Sequence, residues 1–520
     1  MLFNSYEFIF LFFPIVTAFY FLLGRYGQFF ANLWLTCASF FFYGWWNINY
    51  IPLLLASICF NYMSGLWLYR FNSEGKNRSS SALLFFAIAT NLCLLGYFKY
   101  ANFFLETIGF LGGGSYQIEN LILPLGISFF TFTQITFLVD TWSNKTQEHK
   151  FVDFALFVTY FPHLIAGPIL HHQEIIPQFN RGAEKKFIYE NFSIGLTVFT
   201  IGLFKKVIFA DNLGLLADPV FAAHKNEILL TFLDAWLGAI AYALQLYFDF
   251  SGYTDMAIGM SLILGIRLPI NFYSPYKANN IIEFWQRWHM TLSRFFKDYL
   301  YIPLGGNRKG YIRSYLNLMI TMILGGLWHG ASWSFIAWGA LHGFYLTINH
   351  SWQVIMIKFN LERKKAGILS CAFGRIVTFL SVVIAWVFFR AENLDSTYQI
   401  LLAMSGHNGI ILPLSWNSLF SEIPLLGQGI EFKDTMNINQ TKGMSWVFIL
   451  LFAVWFCPNT SQIMHRFNPS LPLKFDRGVG KQWEFLVWKP NMVWAFLYCG
   501  ILFFSIMNIS KETIFLYYQF

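Results

Sequence analysis

Charged side chains are scarce in this sequence of 520 residues, of which only 12% are Asp, Glu, Lys or Arg. Soluble domains average about 25% charged residues. This deficit, together with a hydrophobic fraction of 56%, indicates a chain embedded in a membrane. The formal net charge of +8 fits positively charged cytoplasmic loops better than nucleic-acid binding. We therefore expect membrane lipid, and no nucleic acid, among its partners.

Cysteine is also rare, and the motifs of several enzyme classes are missing. The six cysteines stand singly in apolar stretches, without a CxxC pair or an HExxH motif, so we interpret them as core hydrophobes and expect no metal. The absence of GxSxG and GxxxxGK[ST] argues against a serine hydrolase and an ATP-driven pump. The N-terminal segment lacks a basic region and a cleavage site, which predicts a retained first span rather than a signal peptide.

Long apolar runs are abundant, and a membrane span needs ~20 mostly apolar residues. Candidate spans lie near residues 7–23, 30–46, 49–69, 82–105, 119–140, 152–170, 190–210, 228–248, 254–266, 313–329, 331–350, 372–389, 446–458 and 491–508. Several are too short or too polar to cross. The prediction is an all-α, polytopic membrane helical bundle with roughly 10–12 transmembrane helices plus re-entrant or interfacial helices. Residues 1–400 would form its core, 401–445 a polar external loop, and 446–520 the C-terminal transmembrane helices.

Basic residues are grouped in a few loops, and such groups favour the cytoplasmic side. The groups are Arg70, Lys76 and Arg78; Arg181, Lys185 and Lys186; Arg308, Lys309 and Arg313; and Arg363, Lys364 and Lys365. This distribution predicts that Met1 lies outside, that the loop at 70–81 lies inside, and that Trp45 and Trp46 lie at the outer interface. The side on which the group at 363–365 lies stays open.

Residues 281–343 combine an apolar composition with three histidines, His289, His329 and His342. Ionisable groups at membrane depth are costly and usually face a cavity or a partner. His329 stands in LGGLWHGASW, where glycines permit close approach of a backbone or a substrate. A neutral imidazole can act as a general base. A buried structural histidine is the alternative, but the neighbouring glycines and His289 favour catalysis.

His289 stands in FWQRWHMTLSRFFKDYLYIPLGG. On one helix, Trp285, Trp288 and His289 would share a face with Leu292 and Phe296. We interpret this segment as an interfacial helix whose polar side, which includes Arg287, faces a phosphate-bearing or thioester-bearing donor. A membrane-surface helix with snorkelling basic residues is the alternative.

Two carboxylates, Asp249 and Asp255, stand in the apolar sequence YFDFSGYTDMAIG. Unpaired buried carboxylates are costly, so each is expected to meet a donor such as Arg287, Arg267 or a histidine. Either could orient a catalytic imidazole, and a purely structural ion pair is the alternative.

The stretch PHLIAGP at 162–168 predicts a break in a helix. We expect the two histidines that follow it, His171 and His172, to lie at the membrane interface and not to be catalytic.

Seven segments carry a resemblance to a known family. They are LGYFKYANFF at 95–104, ILPLGISFFTF at 122–132, FPHLIAGPIL at 161–170, GLFKKVIFAD at 202–211, YFDFSGYTDMAIG at 247–259, EFWQRWHMTLSRFFKDYLYIPLGGNRKG at 283–310 and ITMILGGLWHGASW at 320–333. In this order they resemble the membrane-bound O-acyltransferase family and, within it, the bacterial alginate and peptidoglycan O-acetyltransferases.

The resemblance implies that His329 is the family's essential histidine and that His289 holds its second polar position. It implies a bundle around a central tunnel, in which a thin layer separates an outer funnel from an inner donor site. It also implies a multi-pass protein of the bacterial cytoplasmic (inner) membrane. Acetyl-CoA would be the acyl donor, with no bound cofactor, and the acetyl group would reach an extracytoplasmic polysaccharide or a periplasmic acetyltransferase partner.

In the mechanism that we expect, His329 deprotonates an acceptor hydroxyl, and the oxygen attacks the acetyl carbonyl. Trp328 and backbone N–H groups near Gly325 and Gly326 would hold the developing oxyanion.

Two alternatives stay open. Within the family, the chain could transfer D-alanine to teichoic acid, although its length and the polar 405–443 stretch favour acetyl transfer. From another class, it could be a transporter of a lipid-linked sugar or a proton-coupled solute, with Asp249, Asp255 and the histidines as relay groups. The lack of an internal repeat argues against a transporter.

Overall fold

The computed structural model describes residues 1–114, 116–118, 121–146, 150–180, 187–359, 367–412, 414, 417, 430–433, 440–472, 480–509 and 516. The α-helices are α1 (Phe13–Gly24), α2 (Gln28–Gly44), α3 (Ile51–Ser73), α4 (Asn77–Leu95), α5 (Ala101–Gly112), α6 (Ile127–Trp142), α7 (Phe151–Thr159), α8 (Phe161–Leu164), α9 (His172–Phe179), α10 (Tyr189–Phe204), α11 (Asp211–Ala222), α12 (Phe232–Ile263), α13 (Ile281–Arg287), α14 (Met290–Phe296), α15 (Tyr311–His329), α16 (Trp333–Lys358), α17 (Ile368–Arg390), α18 (Leu394–Met404), α19 (Gln440–Phe456), α20 (Thr460–Ile463) and α21 (Met492–Met507). The strands β1 (Ile410–Leu412) and β2 (Ile430–Phe432) pair in parallel.

Among the described residues, four helical runs are long and apolar enough to cross a membrane. These runs are Ile48–Ser73, Asn77–Gly112, Tyr189–Ala222 and Ile368–Arg390, and shorter apolar helices are Phe8–Gly24, Gly443–Phe456 and Met492–Met507. The chain is thus a polytopic, all-α membrane protein, as predicted, and the full number of crossings stays a prediction. The basic groups at 181–186 and 363–365, and most of the polar stretch at 405–443, lie outside the described residues.

Helix α12 is the central helix, and nearly all of its 32 residues are buried. It is about 48 Å long at 1.5 Å per residue and begins at a capping box formed by Thr231 and Asp234. The prediction of two separate spans near 228–248 and 254–266 is therefore wrong. The polar residues between those segments, such as Asp249 and Ser251, face the protein interior and do not end the helix.

Helices α10 and α12 pack backbone to backbone through glycines seven residues apart. A Cβ at Gly195 would lie 2.5 Å from the carbonyl oxygen of Gly259, and one at Gly252 would lie 2.7 Å from that of Gly202. Small residues allow membrane helices to approach in this way. This packing brings the chain that follows α10 beside the middle of α12.

The helix break predicted at PHLIAGP is confirmed. Helix α8 ends at Leu164, and the chain is non-helical until α9 begins at His172. Residues 161–170 are buried, as irregular backbone at membrane depth requires. His172 is buried inside the protein, with 1% of its surface exposed and Nδ1 3.4 Å from Oδ2 of Asp140, and its depth at the membrane interface stays a prediction.

Candidate active site

His329 is the last residue of α15, and the chain continues in an extended conformation at Gly330. The His329 ring packs against the rings of Trp338 and Phe389, with centroid distances of 5.3 and 5.0 Å. The residue as a whole is only 7% exposed. The imidazole is thus held by aromatic neighbours at the point where the helix ends.

Two glycines before His329 have different surroundings: one contacts the neighbouring helix, and the other lies beside a cavity. A Cβ at Gly326 would lie 2.1 Å from the carbonyl oxygen of Phe335, so this glycine lets α15 approach α16. A Cβ at Gly325 would lie 3.3 Å from Cε2 of Phe296, beside a cavity. The predicted use of the Gly325 and Gly326 N–H groups as oxyanion donors is wrong. Both residues lie inside α15, where N–H groups donate to carbonyls four residues earlier.

Two cavities meet at His329. The Trp45 cavity has a volume of about 550 Å³ and is lined by, among others, Met1, Trp45, Trp46, Lys99, Trp328 and His329. The Trp285 cavity has a volume of about 330 Å³, and its lining includes Trp285, Phe296, Lys297, Tyr301, Gly325 and His329. Among the described residues that line the two cavities, His329 alone is common to both. His329 therefore borders two separate compartments.

Lys99 is a site residue that the sequence interpretation missed. It lies in a π-helical turn, Gly96–Tyr100, between α4 and α5. Its Nζ donates to the carbonyl oxygens of Trp328 at 2.5 Å and His329 at 3.1 Å. The signal in the sequence was a single lysine in an otherwise apolar run. We call Lys99, Trp328 and His329 the histidine junction.

The predicted continuous helix through His289 is wrong. Helix α13 ends at Arg287, α14 begins at Met290, and His289 between them has a left-handed backbone with φ of 41°. The break is stabilised by another segment, because Met290 N donates to Asn271 O at 2.9 Å and Tyr273 N donates to Arg287 O at 3.0 Å. Such a conformation is uncommon for a residue other than glycine.

The His289 side chain is 1% exposed, and its ring lies 4.8 Å from Phe250 and 6.3 Å from Trp328. His289 does not belong to the described lining of either cavity. The catalytic role of His289 stays a prediction.

Of the other site residues predicted in the segment 281–289, Trp285 lines a cavity, whereas Trp288 and Arg287 do not. The Trp285 indole N–H donates to Nδ1 of His342 at 3.3 Å, and the same residue lines the Trp285 cavity. Trp288 is 4% exposed and lies 5.0 Å from the Trp386 ring. Arg287 is paired with Glu283 through a 2.6 Å contact. Neither Trp288 nor Arg287 lies in the described lining of these cavities.

Asp249 and Asp255 each meet a donor, as expected, but the donors are lysines and not the arginines or histidines named as examples. Lys206 Nζ contacts Asp249 Oδ1 at 2.7 Å and Asp211 Oδ1 at 2.8 Å, and Lys205 Nζ contacts Asp255 Oδ2 at 2.6 Å. We call these five residues the lysine–aspartate cluster. Both lysines lie in the π-helical turn Lys205–Ala210, beside α12. Within the described residues, neither α12 carboxylate bonds to a histidine.

Comparison with known proteins agrees with this architecture. The family model described as MBOAT, membrane-bound O-acyltransferase family, matches residues 40–389. The "Peptidoglycan O-acetyltransferase" of Helicobacter pylori is 39% identical over 547 residues, which cover 100% of this chain and 98% of that protein. The "Probable alginate O-acetylase AlgI" of Pseudomonas aeruginosa is 43% identical over 410 residues, or 78% of this chain and 75% of the relative.

A more distant relative is the "Teichoic acid D-alanyltransferase" of Streptococcus thermophilus. It is 29% identical over 286 residues, which cover 52% of this chain and 69% of the relative. The family match covers well over half of the chain and includes His329, where the two cavities meet. The chain belongs to the membrane-bound O-acyltransferase family and is a membrane-embedded O-acyltransferase.

Proposed function

We propose that this enzyme transfers an acetyl group from cytoplasmic acetyl-CoA to hydroxyls of an extracytoplasmic polysaccharide, either alginate-like or peptidoglycan. Transfer could be direct or through a periplasmic acetyltransferase partner, and the enzyme would lie in the bacterial cytoplasmic (inner) membrane. The observation that carries the proposal is that His329 is shared by two cavities. The names of the similar O-acetyltransferases support acetyl as the transferred group.

The Trp285 cavity is the compartment that we assign to the donor. Lys297 and Tyr301 in its lining lead directly into the turn that carries Arg308 and Lys309, both exposed. A basic cluster of this kind favours the cytoplasmic side and attracts phosphate groups. The phosphates of acetyl-CoA would thus lie near the basic turn while the thioester extends toward His329.

The Trp45 cavity is the compartment that we assign to the acceptor. It is lined by Met1, Trp45 and Trp46, which the distribution of basic loops assigns to the outer side. Aromatic side chains present both an apolar face and a polar edge, and they suit a ligand that is partly hydrated. A hydroxyl in this cavity could approach His329 without crossing the donor compartment.

In the proposed reaction, the His329 imidazole removes the proton of the acceptor hydroxyl as its oxygen attacks the acetyl carbonyl carbon. A C–O bond forms and the C–S bond breaks. The imidazolium then returns the proton to the departing thiolate, so that thioester and alcohol become ester and thiol. Trp328, which lines the acceptor compartment beside His329, would stabilise the oxyanion of the tetrahedral intermediate.

Transfer of D-alanine is the second candidate, and the partial similarity to the teichoic acid enzyme supports it. The similarity to the two O-acetyltransferase relatives is greater in both identity and coverage. Mass spectrometry of the product separates the two candidates, because acetyl and alanyl adducts differ in mass. Membership of an enzyme family argues against the transporter alternative.

The test is His329→Ala in the full-length protein, reconstituted in vesicles with acetyl-CoA on one side and an oligosaccharide acceptor on the other. Loss of the base is expected to lower turnover by about 10²–10⁴-fold, with an unchanged melting temperature. His224→Ala, at an exposed position distant from both cavity linings, is the matched control and should keep full turnover. Wild-type turnover by the His329 variant would reject the proposed mechanism.

A further inference from the structure

We propose that Lys99 is a positioning residue, which caps the end of α15 from a neighbouring helix and so holds His329 between the two cavities. This inference rests on the proposed role of His329 as the base. Lys99 makes its contacts through main-chain carbonyls, at 2.5 Å to Trp328 and 3.1 Å to His329.

The end of α15 needs donors from outside the helix. The last four carbonyl groups of an α-helix lack partners within it, and many helices supply them with a left-handed glycine after the end. Gly330 follows α15 in an extended conformation instead, with φ of −163° and ψ of 153°. Gly330 therefore does not form the usual left-handed cap. The carbonyl groups at the end of α15 need hydrogen-bond donors from another segment.

Two consecutive residues of the π-helical turn Gly96–Tyr100, Lys99 and Tyr100, supply these donors. Lys99 donates to the last two carbonyls of α15, and Tyr100 Oη donates to Leu327 O at 2.8 Å. Three successive carbonyls are thus satisfied by one turn of a different helix. A π-helical turn is rare and is found frequently at functional sites.

A protonated Lys99 matches the helix end that it contacts. The C-terminus of a helix carries a partial negative charge, which a cation stabilises. In the described part of the chain, no carboxylate is paired with Lys99, in contrast to Lys205 and Lys206. Its Nζ also lies 3.5 Å from Ser128 Oγ, at the lining of the Trp45 cavity. The ammonium group therefore ties α15 to α6 and to the turn between α4 and α5.

The position of the imidazole depends on this end of α15 because His329 is the residue whose carbonyl is bound. Without the ammonium group, the last turn of the helix would fray and the ring would leave the boundary between the cavities. A displacement of about 1 Å in a reacting group can lower a rate by about 10²-fold. The effect should therefore fall on kcat rather than on substrate binding.

The experiment compares Lys99→Met, Lys99→Gln, Lys99→Arg and Tyr100→Phe in the reconstituted full-length enzyme. Lys99→Met is expected to lower kcat by about 10²-fold, with KM for donor and acceptor within about threefold of wild type. Lys99→Arg should recover most of kcat, because it keeps the charge and the donors and the adjoining cavity has room for it. Tyr100→Phe, which removes one carbonyl contact and no charge, should have a smaller effect.

Two further variants keep the test decisive. Lys225→Met removes an exposed lysine and should leave kcat unchanged. If Lys99→Met is not recovered in folded form, Lys99→Gln takes its place, because its side chain is one bond shorter, carries no charge and cannot hold both carbonyl groups as Lys99 does. Wild-type kcat in a folded Lys99→Gln variant, or a loss in Lys99→Met that Lys99→Arg does not reverse, would overturn the inference.

The test of Lys99 can be told apart from the test of the proposed function. An active His329→Ala variant would reject the general base and, with it, the reason for positioning the ring. An inactive His329→Ala variant together with wild-type kcat for Lys99→Met would reject only the role of Lys99.

Discussion

The lysine–aspartate cluster and the histidine junction each combine buried and half-buried ionisable residues, yet these residues are paired differently. In the cluster, Lys206 lies between two carboxylates and Lys205 is paired with Asp255, all at 2.6–2.8 Å. At the junction, the Lys99 amino group meets main-chain carbonyls, a hydroxyl and the face of the Trp328 ring, which lies 5.9 Å from Nζ. His329, beside it, borders two cavities.

Access distinguishes the two regions more clearly than burial or charge. The cavity beside Asp255 has a volume of about 10 Å³, which is close to the minimum for one water molecule. The cavities at His329 have volumes of about 550 and 330 Å³, which are in the range of ligand sites. A buried charge whose partners are complete and whose surroundings are closed stabilises the fold. A buried group with open space on two sides is available for chemistry.

The largest effect that we predict on stability is that of Lys206→Met. This change leaves Asp249 and Asp211 without their shared cation, and removal of one partner from a buried pair costs about 3–5 kcal/mol. We expect a marked fall in the melting temperature of the detergent-solubilised protein, measured by intrinsic fluorescence. The yield of folded protein should fall with it.

The matched control for that variant is the double change Lys206→Met with Asp249→Asn. It removes an uncompensated charge and should recover part of the lost stability. A Lys206→Met protein with a normal melting temperature but a large loss of kcat would mean that the cluster takes part in the reaction, and the comparison between the two regions would fail.

Gly325→Leu should have the next largest effect, and it tests whether access from the Trp285 cavity matters. A Cβ at this position already lies 3.3 Å from the Phe296 ring, so a leucine side chain would fill space next to His329. Because the donor thioester could no longer reach its productive position, kcat/KM for the donor should fall by about 10-fold to 100-fold. The melting temperature is measured alongside, because crowding against Phe296 opposes the higher helix propensity of leucine.

The control for the cavity change is Gly112→Leu at the end of α5. A Cβ there meets no atom within 4 Å, so this variant changes propensity without filling a site. Equal kinetics for Gly325→Leu and Gly112→Leu would show that the donor does not pass Gly325.

Local patterns in the sequence predicted the features that depend on neighbouring residues. The glycines next to His329 correctly indicated close packing at this helix end, and PHLIAGP correctly indicated a helix break. Hydrophobic runs and scarce charge correctly indicated a helical membrane protein. Each of these properties is encoded within a few residues, where turn chemistry and hydrophobicity act directly.

Contacts between distant segments account for what the sequence did not predict. Lys99 and the His329 carbonyl that it binds are 230 residues apart. The left-handed backbone at His289 depends on hydrogen bonds to residues 271–273, and no periodicity within the segment reveals them. Similarly, the partners of Asp249 and Asp255 follow from the close approach of α10 and α12. The tandem lysines of GLFKKVIFAD were the available signal for that pairing.

The smallest effect that we predict is that of Trp45→Ala, which tests whether the Trp45 cavity binds the acceptor. Trp45 lines its cavity and is 53% exposed, so it contributes little to the core. Loss of one aromatic contact is worth about 0.5–1.5 kcal/mol. We therefore expect KM for the acceptor to rise by about 2-fold to 10-fold, while KM for the donor stays unchanged.

Trp67→Ala is the matched control, because Trp67 is 45% exposed and lies on α3 outside the described lining of both cavities. It should leave both KM values at wild type. The direction of the Trp45 effect is more informative than its size. Of the described residues, His329 alone lines both cavities, so a change in one cavity is expected to reach the other through that residue. A rise in donor KM in the Trp45 variant would mean that the compartments are not separate, and the transfer of an acyl group from one side of the protein to the other would need a different route.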